Sequence, residues 1–381
     1  MIPYARQSID DADVEAVTRV LRSDFLTQGP VVPRFEAGVA DYCGAKHGIA
    51  VSNATAALHL SAAALGLGPG GLLWTSPISF VASANCALYC GAGVDFVDID
   101  ERTYNLDIEA LREKLREADA RRRLPDVIVM VDFAGQPCDY AGLAALKEQY
   151  GFRVIEDASH AIGASHAGTR IGSGTCADVT VFSFHPVKII TTAEGGMAVT
   201  NDDMLAEKIR LLRSHGVTRD AQIMTREREP WEYEQIALGF NYRLTEIQAA
   251  LGLEQMQRID AFVERRRAIA ARYDAAFEAT PVQTPHEAPY ARSAYHLYVV
   301  QVDARRDVYD SLRERGIAPN VHYMPIYRQP YYEALGFREG YCPRAEAYYA
   351  RALSLPMFPE LTDSQQDTVI AAVLSAPGIR A

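Results

Sequence analysis

From residue 47 the chain alternates between short apolar runs and longer amphipathic stretches. Residues 48–52, 72–75, 94–99, 127–131 and 153–156 read as strands. Between them, residues 54–65, 79–89, 107–118 and 140–150 carry helical periodicity, with Asp107 placed as an N-cap. Consecutive strands joined by helical crossovers run parallel. The rhythm therefore predicts an α/β fold, a mostly parallel sheet with helices on both faces. Two helices precede it, at 10–23, with Val14, Val17, Val20 and Leu21 on one face, and at 33–42. At 381 residues the chain exceeds a typical single domain. Residues 244–278 form one long helical pattern, ended by Thr280-Pro281 and by Pro285 and Pro289. This divides the chain into a large unit over 1–243, and a linking helix with a smaller α+β unit over 244–381. The smaller unit holds a strand at 295–302, a helix at 306–315, a proline- and tyrosine-rich loop at 322–332 and two closing helices.

Ligands of parallel sheets gather at the carboxyl ends of strands and at helix N-termini. Three loops occupy those places: 52–56, 76–80 and 156–160. Asn53-Ala54-Thr55-Ala56 offers small residues, a hydroxyl and free backbone N–H groups at a helix start, which suits a phosphate. The same residue types are ordinary helix caps, so the loop alone carries little. Asp157 ends an apolar strand, where a carboxylate is costly unless paired; a cap or a structural hydrogen bond is the plain alternative.

A further strand, turn and strand span 178–200, and the turn carries Lys188. The other four lysines, Lys46, Lys114, Lys147 and Lys208, lie on polar faces or in a polar loop. Lys188 alone follows a β-branched and aromatic run and precedes Ile189-Ile190. An apolar setting favours the neutral amine, which attacks carbonyls and forms Schiff bases. By itself the position fits equally a lysine covering a sheet end with its aliphatic stem. The combination decides: a buried acid (Asp157), a hydroxyl (Ser183), a lysine (Lys188) and a separate phosphate cradle are what pyridoxal phosphate requires. Phe80, in the 76–80 loop, supplies an aromatic partner for a planar ring.

Other classes find less support. The run Gly66-Leu67-Gly68-Pro69-Gly70-Gly71 matches a dinucleotide fingerprint, but it ends a helix and precedes a strand, the reverse of what that site needs. The nine histidines show no metal-ligand spacing joined to carboxylates, so no metal is expected. His160, His166 and His185 stand near the site in sequence, and packing accounts for them equally well. There is no GxSxG elbow. A net charge of −11 argues against nucleic acid, and the arginine triplets at 121–123 and 265–267 have acids nearby. Six cysteines without CxxC spacing suggest free thiols in a reducing compartment. With no signal-like N-terminus and no long apolar run, a cytoplasmic protein without membrane contact is expected.

Three motifs then carry a resemblance: Ser183-Phe-His-Pro-Val-Lys188 with Glu194-Gly195-Gly196, Glu156-Asp157-Ala158-Ser159-His160, and Asn241-Tyr242-Arg243-Leu-Thr-Glu. Together they resemble the pyridoxal-phosphate-dependent sugar-nucleotide aminotransferases, over nearly the whole chain. The resemblance implies the aspartate aminotransferase-like (type I) fold. It implies that Lys188 carries the cofactor, Asp157 pairs with the pyridine nitrogen, and Ser183, Thr55 and Ala56 hold the phosphate. Phe80 would stack on the ring and His160 would lie at the cofactor. Asn241 would reach the phosphate from a second subunit, which implies a homodimer with shared sites. Tyr4, the loop of Asp24, Phe25, Leu26 and Thr27, and the loop of His322, Tyr323 and Tyr327 would contact the nucleotide sugar. The implied reaction moves an amino group from L-glutamate to the 4-keto carbon of a UDP-linked 2-acetamido-2,6-dideoxy-hexos-4-ulose. Relatives that act as sugar dehydratases lack the lysine, so Lys188 favours transamination. Two alternatives stay open: the same chemistry on another nucleotide-linked 4-keto-6-deoxy sugar, and a cofactor-binding protein without turnover.

Overall fold

A computed structural model, describing residues 1–226 and 229–379, places seven strands in one central sheet. In chain order they are β1 (His47–Val51), β2 (Leu72–Thr75), β3 (Gly93–Phe96), β4 (Val127–Val131), β5 (Arg153–Asp157), β6 (Val179–Ser183) and β7 (Gly196–Thr200). Their spatial order is β1-β7-β6-β5-β4-β2-β3. β7 runs antiparallel to both neighbours, and every other adjacent pair is parallel. Among the described residues up to 277, nine helices surround the sheet or lead away from it: α1 (Asp11–Leu21), α2 (Val31–Cys43), α3 (Ala54–Ala64), α4 (Ala82–Tyr89), α5 (Ile108–Ala120), α6 (Tyr140–Tyr150), α7 (Asp203–Arg213), α8 (Glu246–Met256) and α9 (Ile259–Phe277).

The strand period sorts side chains between two cores. Val127, Val129 and Val131 share one with α3, α4 and α7. Ile128 and Met130 share the other with α2, α5, α6 and α8. On β5 the same alternation puts Ile155 in the first core and Val154 in the second. Asp157 therefore faces α3 and α4, while Glu156 faces away. A third core joins α9 to the C-terminal strands and helices, and a fourth cluster, with Ile78, Phe96 and Phe133 against Tyr327, Tyr332 and Tyr348, seals that region to the sheet. Ile2–Pro3 pairs parallel with Ile317–Ala318, so the first residues of the chain sit on its C-terminal part.

Some details depart from the sequence reading. The pattern at 244–278 is two helices, α8 and α9, broken at Gln257-Arg258, where Arg258 takes φ −115°. There the side chains turn to α1: Gln255 donates to Asp13 at 2.8 Å, and Arg258 pairs with Asp10 at 2.5 Å. On α1 the buried stripe is Asp13, Ala16 and Val20; Val14 and Leu21 are each 56% exposed. The helix expected from residue 79 begins at Ala82, and residues before it form a loop. The strand expected at 295–302 is Tyr298–Gln301, because Tyr295 takes a left-handed φ of 45°. It pairs antiparallel with Ala352–Leu355, a strand lying between the two closing helices. The glycine run 66–71 does link α3 to β2, with left-handed φ of 91° at Gly66 and 87° at Gly70. No helix among the described residues is long and apolar enough to cross a membrane.

Candidate active site

The carboxyl ends of β1, β2, β4, β5 and β6 open onto one cavity of about 1030 Å³. Its lining includes Asn53, Ala54, Thr55 and Ala56 after β1, Ser79 and Phe80 after β2, and Val131 at the end of β4. Asp157, Ser159 and His160 come from the end of β5, and Ser183 and Lys188 from the end of β6. Across the opening stand Tyr4, Asn320, His322, Tyr323 and Gln329. Among these lining residues Lys188 is the sole lysine or arginine.

Lys188 sits in the β6–β7 connection, whose base is tied to the sheet. Phe184 donates its N–H to Gly195 O, and its carbonyl accepts from Thr192 N and Thr191 Oγ1. Ile189 and Ile190 bury themselves behind the lysine. Burial lowers the Lys188 pKa to about 8, with the negative charge of Asp157 opposing the shift. The amine is thus partly neutral near physiological pH, whereas an exposed lysine is almost wholly charged.

Asp157 is buried but not bare. Ser83 Oγ donates to Oδ2 at 2.6 Å, and Ser159 donates to Oδ1 from Oγ at 2.6 Å and from N at 3.2 Å. Beside it, His160 accepts at Nδ1 from the N–H of Ala134 at 3.3 Å. A backbone N–H only donates, so the ring proton of neutral His160 lies on Nε2, which is 3.5 Å from Tyr323 Oη. Burial, with the charges of Lys188 and His322 adding to it, holds the His160 pKa well below its usual value. His322 is pushed down to about 3, first by burial and then by Lys188, while its Nδ1 pairs with Ser354 Oγ at 2.7 Å. Both rings are uncharged at neutral pH and act as hydrogen-bonding groups.

The loop expected to cradle a phosphate forms the start of α3. Asn53 caps the helix, accepting at Oδ1 from Ala56 N at 2.9 Å. The Ala56 N–H is therefore already engaged, and among the described residues the N–H groups of Ala54 and Thr55 have no protein acceptor. Gly196 at the start of β7 makes the close approach possible. A Cβ there would lie 2.5 Å from the carbonyl of Asn53 and 2.6 Å from Ala54 N. Together with Ser183 these free N–H groups form an anion site at the positive end of a helix. Phe80 lines the cavity with 59% of its surface exposed, leaving an aromatic face for a planar ligand. The lowered lysine, the hydrogen-bonded acid, the unpartnered helix N–H groups and the open aromatic ring fit pyridoxal phosphate.

Some residues expected at the site lie elsewhere in this chain. Tyr327 is fully buried; its Oη donates to Glu346 at 2.6 Å and its ring packs among Phe96, Phe337 and Tyr341. The short 3₁₀ turn Ile326–Arg328 directs it inward, away from any sugar. Asp24, Phe25, Leu26 and Thr27 are exposed and do not line the cavity, and Leu26 O accepts from the N-terminal N–H of α8. Asn241 is exposed outside it as well. Conversely, the structure adds Ser83, Asn320, Gln329, His59, Tyr89 and His296 to the expected residues. Asn320, Gln329, His59 and Tyr89 line the cavity, Ser83 touches Asp157, and His296 packs on His160 with ring centroids 4.4 Å apart. No pattern in the sequence marks them: Ser83 shares α4 with Asn85, and only the fold brings it to Asp157.

Comparison with known proteins agrees with this geometry. Residues 7–374 match the family model described as the DegT/DnrJ/EryC1/StrS aminotransferase family. The chain is 40% identical over 381 residues to the spore coat polysaccharide biosynthesis protein SpsC of Bacillus subtilis strain 168, covering 98% of this chain and 96% of that one. It is 37% identical over 369 residues to a UDP-4-amino-4,6-dideoxy-N-acetyl-β-L-altrosamine transaminase of Campylobacter jejuni subsp. jejuni serotype O:23/36 (strain 81-176), covering 95% and 93%. Among solved structures, Helicobacter pylori PseC, an aminotransferase of pseudaminic acid biosynthesis, superposes with a TM-score of 0.90 at 33% identity over 98% of both chains. The pyridoxal phosphate form of the sugar aminotransferase Spr1654 of Streptococcus pneumoniae gives 0.89 at 30% identity, over 98% of this chain and 97% of the other.

Proposed function

The chain belongs to the DegT/DnrJ/EryC1/StrS aminotransferase family, and on that premise we propose that it aminates the 4-keto carbon of a UDP-linked 2-acetamido-2,6-dideoxy-hexos-4-ulose, with L-glutamate as donor, in pseudaminic acid biosynthesis. That it is a sugar aminotransferase using pyridoxal phosphate follows from the family itself. The observation that carries the site assignment is the meeting of Lys188, Asp157 and the free N–H groups of α3 around one cavity.

Bound pyridoxal phosphate supplies an electron-withdrawing ring that takes up the electron pair left when a C–H bond beside the nitrogen breaks. The residues do the rest. The N–H groups of Ala54 and Thr55, with the Ser183 hydroxyl, hold the phosphate. Phe80 stacks on the ring. Asp157 would hold a proton at the pyridine nitrogen. Lys188 would hold the cofactor through Nζ and, as a partly neutral amine in the cavity, would be placed to take the proton from the donor's α-carbon. In the second half-reaction the same amine would return a proton at C4 of the sugar. Tyr4, His322 and Tyr323 form the sugar-facing wall, and neutral His322 and His160 offer hydrogen bonds without charge.

The cavity's own lining has one cation for a cofactor phosphate, a donor carboxylate and a nucleotide diphosphate. We place Asn241 and the Asp24–Thr27 loop, which are exposed and lie outside the cavity of their own chain, at the site of the partner in a homodimer. A second reading, the same chemistry on a different nucleotide-linked 4-keto-6-deoxy sugar, is favoured by the 40% identity to a spore coat polysaccharide protein. A panel of UDP- and dTDP-linked 4-keto-6-deoxy sugars, offered to enzyme already converted by glutamate, separates the two. Preferential turnover of the UDP-linked N-acetylated sugar supports the first reading; preference for a dTDP sugar overturns it.

A further inference from the structure

Asp157 is held from behind by a directed chain of hydroxyls. Ser83 on α4 is fully buried and donates to Asp157 Oδ2 at 2.6 Å. Ser79 Oγ, on the cavity wall, lies 2.6 Å from Ser83 Oγ. An ionised carboxylate only accepts, so the single hydroxyl proton of Ser83 goes to Asp157. Ser79 must then donate to Ser83. On the other side Ser159 fixes Oδ1 with two donors. Both carboxylate oxygens are anchored, and the plane of the group is set.

We propose that Ser83, backed by Ser79, is a positioning residue that holds the carboxylate of Asp157 in place against the pyridine nitrogen of the cofactor. The inference rests on the reading of Asp157 given above. Hydrogen bonds donated to a carboxylate stabilise its charged form and make it a weaker base. A weaker base leaves the shared proton on the ring nitrogen, where it strengthens the electron sink. Without Ser83 the carboxylate draws that proton toward itself, and the ring withdraws electrons less strongly. The other titratable groups that feel the charge of Asp157 are Lys188 on the β6–β7 turn, Cys86 on α4 and Tyr323 on the opposite wall. Among the described residues none of these three donates a hydrogen bond to the carboxylate, so Ser83 and Ser159 are its direct partners.

The test titrates the absorbance of the cofactor-loaded protein against pH for the native enzyme and for Ser83→Ala, Ser83→Thr and Asp157→Asn, with thermal midpoints as a check on folding. A neutral ring leaves the Lys188–cofactor linkage holding its proton to higher pH. Ser83→Ala should therefore raise the spectral midpoint by about one unit and slow the glutamate half-reaction about tenfold. Ser83→Thr, which keeps the hydroxyl, should restore both, and Asp157→Asn should raise the midpoint at least as far as Ser83→Ala does. If Asp157→Asn moves the midpoint while Ser83→Ala leaves it at the native value, the role of Ser83 falls and that of Asp157 stands. A Ser83→Thr protein that behaves like Ser83→Ala means that packing, not the hydroxyl, matters, and overturns the inference. If Asp157→Asn moves nothing, the assignment of Asp157 fails and Ser83 with it.

Discussion

At the scale of single residues the proposed chemistry turns on Lys188. Its pKa, lowered to about 8 by burial, has a sign that can be worked through. Burial penalises the ammonium, so the neutral nucleophile is the major form above about pH 8 instead of above the ordinary value for lysine. Capture of pyridoxal phosphate by cofactor-free enzyme should speed up with pH and level off above about 8. A rate that keeps climbing through pH 10 would contradict the buried setting. Lys188→Ala should bind the cofactor without the covalent absorbance band and should lose turnover, and substantial remaining activity would remove the assignment. Lys188 and Asp157 were legible because each broke an apolar pattern: a cation after a β-branched run, an acid at the end of a strand. Ser83 was not, because serine is common in buried helices and only the fold brings it to Asp157. Tyr327 was misplaced for a related reason. Its loop does line the cavity through His322 and Tyr323, but the turn at Ile326–Arg328 points the tyrosine into the core.

At the scale of elements, the site depends on how closely α3 meets β7. Gly196→Ala would drive a methyl group into the Asn53–Ala54 peptide, at 2.5 Å from the carbonyl. Overpacking of this kind costs about 1–3 kcal/mol. Because the displaced peptide carries the cradle, affinity for pyridoxal phosphate should fall along with the thermal midpoint. A protein that loses neither would mean that the approach is relaxed. Asn53→Ala removes the cap on Ala56 N and should cost about 1 kcal/mol, read by denaturant unfolding. The βαβ alternation made the strands and crossovers of the sheet readable, since period and burial agree along them. Readings failed where tertiary contacts overrode the local pattern. α8 and α9 part where Gln255 and Arg258 reach back to Asp13 and Asp10 of α1. On α1 itself Val14 and Leu21 face outward, which no single-helix periodicity foretells.

At the scale of the whole molecule, those outward apolar residues have company. Trp231 is 72% exposed and Leu238 84%, and Phe25, Leu26 and Ile236 are exposed as well. A lone chain with such a surface is expected to associate. Asn241, which lies outside the cavity of its own chain, suits a role in the partner's site. Leu238→Asp should shift sedimentation from dimer to monomer and reduce activity; a fully active native monomer would contradict the shared site. A sharper check mixes inactive Lys188→Ala subunits with inactive Asn241→Ala subunits. Exchange should restore activity, because one site of the heterodimer then holds both native residues. No restoration would place Asn241 in its own chain's site or outside catalysis. The central claim, that this cavity runs an amino-group transfer through Lys188, is tested most directly by the absorbance spectrum of the pyridoxal-phosphate-loaded enzyme before and after L-glutamate. The band of the Lys188-bound cofactor should give way to that of the amine form, and a UDP-linked 4-keto-6-deoxy sugar should bring it back. A Lys188-bound band that no amino donor moves would mean a cofactor-binding protein without turnover, and no such band at all would mean that Lys188 does not hold the cofactor.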